Sequence, residues 1–117
     1  HEDYDASKDY VSKEEMNKRL EWYIATVLEH FTGEESPYHG MFYGWDVVNE
    51  AMEEEEPDCW RKRSLWYQTV GTDFVLYAFR FARKYADKNV NQMVLFILFL
   101  LSCSLLYYIY IHFSNIF

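Results

Sequence analysis

Beyond Lys88, this 117-residue sequence contains no lysine, arginine, aspartate or glutamate. The net charge of -8 is carried entirely by residues 2–88. The sequence also lacks a basic stripe. A surface that neutralises phosphates needs clustered Lys and Arg, so a nucleic-acid partner is excluded. The acidity itself speaks only to solubility. There are two cysteines, Cys59 and Cys103. They form neither a CxxC pair nor a metal-ligand spacing, and a disulfide between them stays open. His30 and His39 share no metal-like spacing either and read as structural or exposed. No metal and no cofactor is expected. There is no internal repeat and no signal peptide at the start. The first residue is His1 rather than Met, which suggests a start inside a longer product or after processing.

Aromatic residues, at 21%, are abundant. Such an excess can line a carbohydrate or peptide groove, but core packing is the commoner reason. Trp22, Tyr43, Trp60 and Trp66 are read as packing residues. The length suits one small domain with a modest core.

The order of elements is legible. His1 to Tyr10 is polar, without apolar period, and reads as a loop. Ser12 and Glu15 form an S-x-x-E capping box, followed by apolar residues at Met16, Leu20, Tyr23, Ile24, Val27, Leu28 and Phe31. That spacing predicts a helix with one buried face. Gly33 suits a left-handed cap at its end. A turn region with Pro37 leads into Met41–Val48, a nearly continuous apolar run expected to be a strand covered on both faces. Glu53–Glu56 are four like charges that repel and read as a solvated loop. A short helix is expected over 64–70, interrupted by Gly71, and a longer one over about 72–86.

The chemistry concentrates at the end of the strand. By strand parity Asp46, Val48 and Glu50 share one face, and Trp45, Val47 and Asn49 the other. Asp46 is a charge within an apolar strand, which costs several kcal/mol if it is buried without a partner. It faces either a polar interior near a site or water at an edge. Glu50 reads either as a general acid/base or as an exposed residue at a strand–loop junction. Asn49 is either a turn residue or a hydroxyl-binding amide.

The run Trp45-Asp46-Val47-Val48-Asn49-Glu50-Ala51 resembles the acid/base signature of glycoside hydrolase family 10, the endo-1,4-β-xylanases. Residues 16–27 resemble the helix before that strand, and Gly71-Thr72-Asp73-Phe74-Val75 with Ala78-Phe79 and Ala82-Arg83 the helix after it. The resemblance covers about residues 1–88. It implies an α/β fold, a helix–strand–helix piece of a (β/α)8 barrel. The chain is too short for the whole barrel, which takes about 250 residues. It implies that Glu50 is the general acid/base, that Asn49 bonds the 2-hydroxyl of the sugar, and that Asp46 and Trp45 support the site. The substrate class would be xylan or xylo-oligosaccharide, hydrolysed with retention by two carboxyl groups ~5–5.5 Å apart. The nucleophile of that pair belongs to a later strand, absent from this chain, so the chain alone is expected to be inactive. A lone barrel strand would also leave its ladder groups unpaired. The parent enzyme would be secreted.

The C-terminal segment fits this reading least. Met93 to Ile111 is a 19-residue uncharged stretch, and about 20 apolar residues span a bilayer. An apolar helix crossing a membrane over 93–113 is therefore expected, with residues 89–117 a tail separate from 1–88. All of the nearby Lys and Arg precede it, which would keep residues 1–88 in the cytoplasm and contradicts a secreted enzyme. Translation past a frameshift or into non-coding sequence would also produce such a composition break. The alternative reading of the whole chain is a non-enzymatic, membrane-anchored acidic module.

Overall fold

The computed structural model describes residues 3–41 and 44–86 in full, and the backbone of 94–98. Helix α1 spans Lys13–Thr32. Its start is set by Ser12, whose Oγ accepts the Glu15 N–H at 3.2 Å. The Glu15 carboxylate accepts from Arg19 Nε one turn on, at 2.9 Å. Met16, Leu20, Ile24 and Leu28 recur every fourth residue and form one buried stripe. Thr32 extends that stripe and satisfies its own hydroxyl by donating to the Leu28 carbonyl at 2.8 Å.

The helix ends differently from the left-handed cap that Gly33 suggests. Gly33 has φ -57. Glycine matters here for space: a Cβ would sit 2.6 Å from the Glu29 carbonyl oxygen, which accepts the Gly33 N–H. We expect Gly33→Ala to lower stability by about 1–3 kcal/mol through that overlap. The check is a drop in urea midpoint at unchanged slope.

The residues after α1 form tight turns. His39 Nδ1 lies 3.0 Å from the Thr32 carbonyl, and His30 packs edge-on against Phe31. His39 is held by backbone carbonyls and His30 is exposed, within the two alternatives, structural or exposed, that the sequence leaves. Met41 lies in a turn and is 72% exposed. The strand expected from Met41 therefore begins later, as β1, Gly44–Asn49.

β1 is not a lone strand. It pairs in parallel with β2, Val94–Leu98. This corrects the expected apolar C-terminal helix: its first residues are extended and hydrogen-bonded to β1. The remainder, through residue 113, lies outside the described residues. Among the described residues no helix is long and apolar enough to cross a membrane. The physical reason is that a short apolar run fits a buried strand as well as a helix, and here β1 supplies the ladder.

Strand parity also fails in one place. Asp46 pairs with Phe96 and Val48 with Ile97, so β1 has one residue more than β2 between these rungs. This bulge rotates the chain locally. Asp46 is exposed while Val48 is buried. The expectation of cover on both faces is likewise corrected: Gly44, Trp45 and Val47 are half-buried, and Asn49 is exposed.

From β1 the chain crosses to β2 through α2, Leu65–Val70, and α3, Asp73–Tyr85. Ser64 Oγ caps α2 by accepting the Tyr67 N–H at 3.0 Å. Gly71, at φ 83, makes the left-handed break between the helices. This is a βαβ unit, with α1 laid against α3. The Glu21 carboxylate joins the two helices, accepting from Lys84 Nζ at 2.7 Å and Tyr85 Oη at 2.9 Å. These bonds, Lys84 first, hold the Glu21 carboxyl below its usual range, and Glu21 in turn raises Lys84.

The core between the helices and β1 is built from the α1 stripe together with Val48, Ala51, Val70, Phe74, Ala78, Phe79 and Ala82. Trp60 and Trp66 pack against it as expected. Trp22 does not, being 69% exposed, and Tyr43 lies outside the described residues. Cys59 is disulfide-bonded, and Cys103 also lies outside the described residues.

Candidate active site

β1 delivers Asn49 and Glu50 at its carboxyl end, where open parallel sheets place their ligands. Glu50 has φ 52. A non-glycine residue in this left-handed region is uncommon and clusters at functional turns. The turn sends Ala51 into the core, at 4% exposure, and leaves the Glu50 side chain half-buried.

The chain then makes a closed excursion. The Glu53 N–H donates to the Cys59 carbonyl at 2.9 Å, and the Arg61 N–H donates to the Ala51 carbonyl at 3.0 Å. Met52 and Trp60 face each other as an antiparallel bridge between these bonds. The acidic run Glu53–Glu56 occupies the loop so formed, but it is not left to repel itself. Arg63 Nη2 lies 2.8 Å from Glu53, and Lys62 Nζ lies 3.0 Å from Glu56 and 3.1 Å from Asp58. Lys62 holds the Asp58 carboxyl below its usual range, and Glu56 and Asp58 raise Lys62.

The same return brings Arg61 beside Glu50. Arg61 Nη1 donates to Glu50 Oε2 at 3.0 Å, and Nη2 to Asp3 Oδ1 at 3.1 Å. Arg61 is missed by the sequence reading, because it sits in a run of three basic residues with nothing to distinguish it. A signal existed in the chain's return to the end of its own strand, but only the ladder shows which residue of the run arrives there.

Asn49, Glu50, Arg61, Ser64, Trp66 and Phe74 line a cavity of about 230 Å³. Of the residues singled out from sequence, Asn49 and Glu50 thus meet at one opening. Trp45 is half-buried and packs on the core. Asp46 is exposed two rungs back and does not line the cavity.

Glycosyl hydrolase family 10 matches this chain over residues 4–97, a stretch that reaches into β2. The chain is 48% identical over 87 residues to endo-1,4-beta-xylanase A of Thermotoga neapolitana, covering 74% of this chain and 7% of that protein. Among solved structures it resembles an intracellular xylanase of Thermoanaerobacterium saccharolyticum, with TM-score 0.62 and 34% identity, over 81% of this chain and 28% of that one. It also resembles a family 10 xylanase of Bispora sp. MEY-1 solved with xylobiose, with TM-score 0.60 and 26% identity, over 77% and 25%. The chain therefore spans less than a third of each relative. Its β1–α2–α3–β2 unit is a piece of their barrel, and the chain belongs to glycosyl hydrolase family 10.

Proposed function

We propose that this chain is the acid/base-bearing segment of a retaining endo-1,4-β-xylanase. The observation that carries the reading is the pair Asn49 and Glu50, adjacent at the carboxyl end of β1 and opening on one cavity, in a chain of this family. Glu50 donates a proton to the oxygen of a β-1,4-xylosidic bond as that bond breaks. It then takes a proton from the water that releases the bound sugar. Asn49 bonds the 2-hydroxyl of the sugar under attack, and Trp45 and Asp46 support the strand end. Such a mechanism needs a second carboxylate ~5–5.5 Å from the first, acting as nucleophile. We place that nucleophile outside these 117 residues. Glu53 to Glu56 do not supply it, because they follow Glu50 in the same loop, and two of the four, Glu53 and Glu56, are paired with Arg63 and Lys62.

The substrate class is xylan or xylo-oligosaccharide, in keeping with the xylobiose bound by one relative. Because xylan is a polymer that is broken down outside cells, we place the parent enzyme there, although one relative is described as intracellular.

The purified chain is expected to show no turnover of an aryl xylobioside. A chimaera in which residues 4–97 replace the matching segment of the Thermotoga neapolitana enzyme is expected to hydrolyse it. Turnover by the chain alone, abolished by Glu50→Gln, would overturn the missing nucleophile. A folded chimaera without activity would overturn the assignment of the segment.

A further inference from the structure

We propose that Arg61 is the positioning residue for the Glu50 carboxyl group, an inference that rests on the acid/base reading of Glu50. Three observations carry it. First, Arg61 is delivered to the strand end by backbone, through its N–H on the Ala51 carbonyl. Its place is therefore fixed by the same ladder that closes the acidic loop. Second, its side chain is 12% exposed, and its two terminal nitrogens reach two different carboxylates, Glu50 and Asp3. A guanidinium is a rigid, donor-only fork, so its backbone-held place and its bond to Asp3 orient the plane that meets the Glu50 carboxyl. Third, Lys62 is held by Glu56 and Asp58, and Arg63 by Glu53 with its Nε also 3.7 Å from Asp3 Oδ1, so Arg61 is the cation of the run that meets Glu50.

Glu50 needs such a hold. Its backbone lies in the left-handed region at φ 52, a conformation that persists only where the surrounding structure holds it. A proton donor must meet the glycosidic oxygen within hydrogen-bond reach. A carboxyl group on three torsions meets it more often when a fixed cation orients it. Arg61 further joins Glu50 to Asp3 of the N-terminal segment, which is itself tied down by the Tyr4 N–H donating to the Arg63 carbonyl at 2.7 Å. Asp3, Arg61 and Glu50 thus form one clamp across residues far apart in sequence.

The test is carboxyl labelling of the full chain with a water-soluble carbodiimide and an amine, followed by peptide mass mapping. Glu50 labelling is expected to rise about five-fold or more in Arg61→Met, the effect of losing a charged hydrogen bond. Glu53 and Glu56 labelling should stay unchanged. Arg61→Lys should restore part of the protection, because it keeps a cation within reach of Glu50 but loses the two-nitrogen fork. Unchanged Glu50 labelling in a folded Arg61→Met chain would overturn the proposal. Failure of Arg61→Lys to protect would overturn it in favour of a packing role. If every carboxylate of Arg61→Met labels faster, the fold is lost, and Asp3→Asn decides. Asp3 is half-exposed, and its removal should raise labelling selectively at Glu50; no change there would overturn the clamp. Because the labelling needs no sugar, its outcome is separate from that of the chimaera, which tests the glycosidase reading.

Discussion

In the chimaera carrying residues 4–97, Glu50→Gln is expected to lower kcat on an unactivated xylo-oligosaccharide by about 10²–10⁴-fold, the usual contribution of a positioned acid or base. The substitution is chosen to leave geometry alone. The Gln amide oxygen can still accept from Arg61 Nη1, now 3.0 Å from Glu50 Oε2, so the position is retained and only the transferable proton is lost. The size of the effect should depend on the leaving group. A sugar hydroxyl leaves poorly without a proton, whereas an activated phenolate leaves with little help. The loss on an aryl xylobioside with a strongly acidic phenol should therefore be much smaller for bond cleavage. Equal losses on the two substrates would argue that Glu50 supports the fold or the binding of sugar rather than proton transfer. No loss on either would remove it from the mechanism. A change confined to KM would make it a binding residue.

The largest stability effect is expected in α1. Leu28 is 0% exposed and Ile24 1%, and both sit in the stripe of α1, which packs against α3 and α2. Leu28→Ala removes three buried carbons and leaves a void that the surrounding helices fill only in part. The expected cost is about 3–5 kcal/mol. Small domains have about 5–15 kcal/mol in total, so this variant should be largely unfolded at modest urea concentrations. Trp22→Ala on the same helix is the control. Trp22 is larger but 69% exposed, and its removal should stay within about 0.5 kcal/mol. Chemical denaturation followed by circular dichroism measures both. A Leu28→Ala midpoint no lower than that of Trp22→Ala would mean that α1 does not depend on the buried stripe.

These two variants mark how unevenly the chain can be read. The α1 stripe follows from spacing, because an apolar residue every three or four positions can be buried only on a helix. The start of α1 at Ser12 and the break at Gly71 follow from local chemistry, a hydroxyl cap and a left-handed backbone. The run from Trp45 to Ala51 marks both the strand and the family. Gly33 marks the end of α1 in the sequence but not its conformation there, since the deciding contact is with a carbonyl one turn back. Residues 93–113 suggest a membrane helix because length and apolarity are properties of a segment, whereas a strand, here residues 94–98, needs a partner. That partner, β1, lies about fifty residues earlier in the chain.

By itself, then, the sequence determined the two amphipathic helices, the position of the strand and the candidate carboxylate at its end, since each depends on neighbours a few residues away. Only the tertiary structure decided that residues 94–98 form β2, that a bulge turns Asp46 outward while Val48 goes in, and that Arg61 rather than Lys62 or Arg63 meets Glu50. Those outcomes depend on ladder hydrogen bonds between distant segments. A shift of one residue in such a ladder exchanges one face for the other, and no local pattern in the sequence encodes that register.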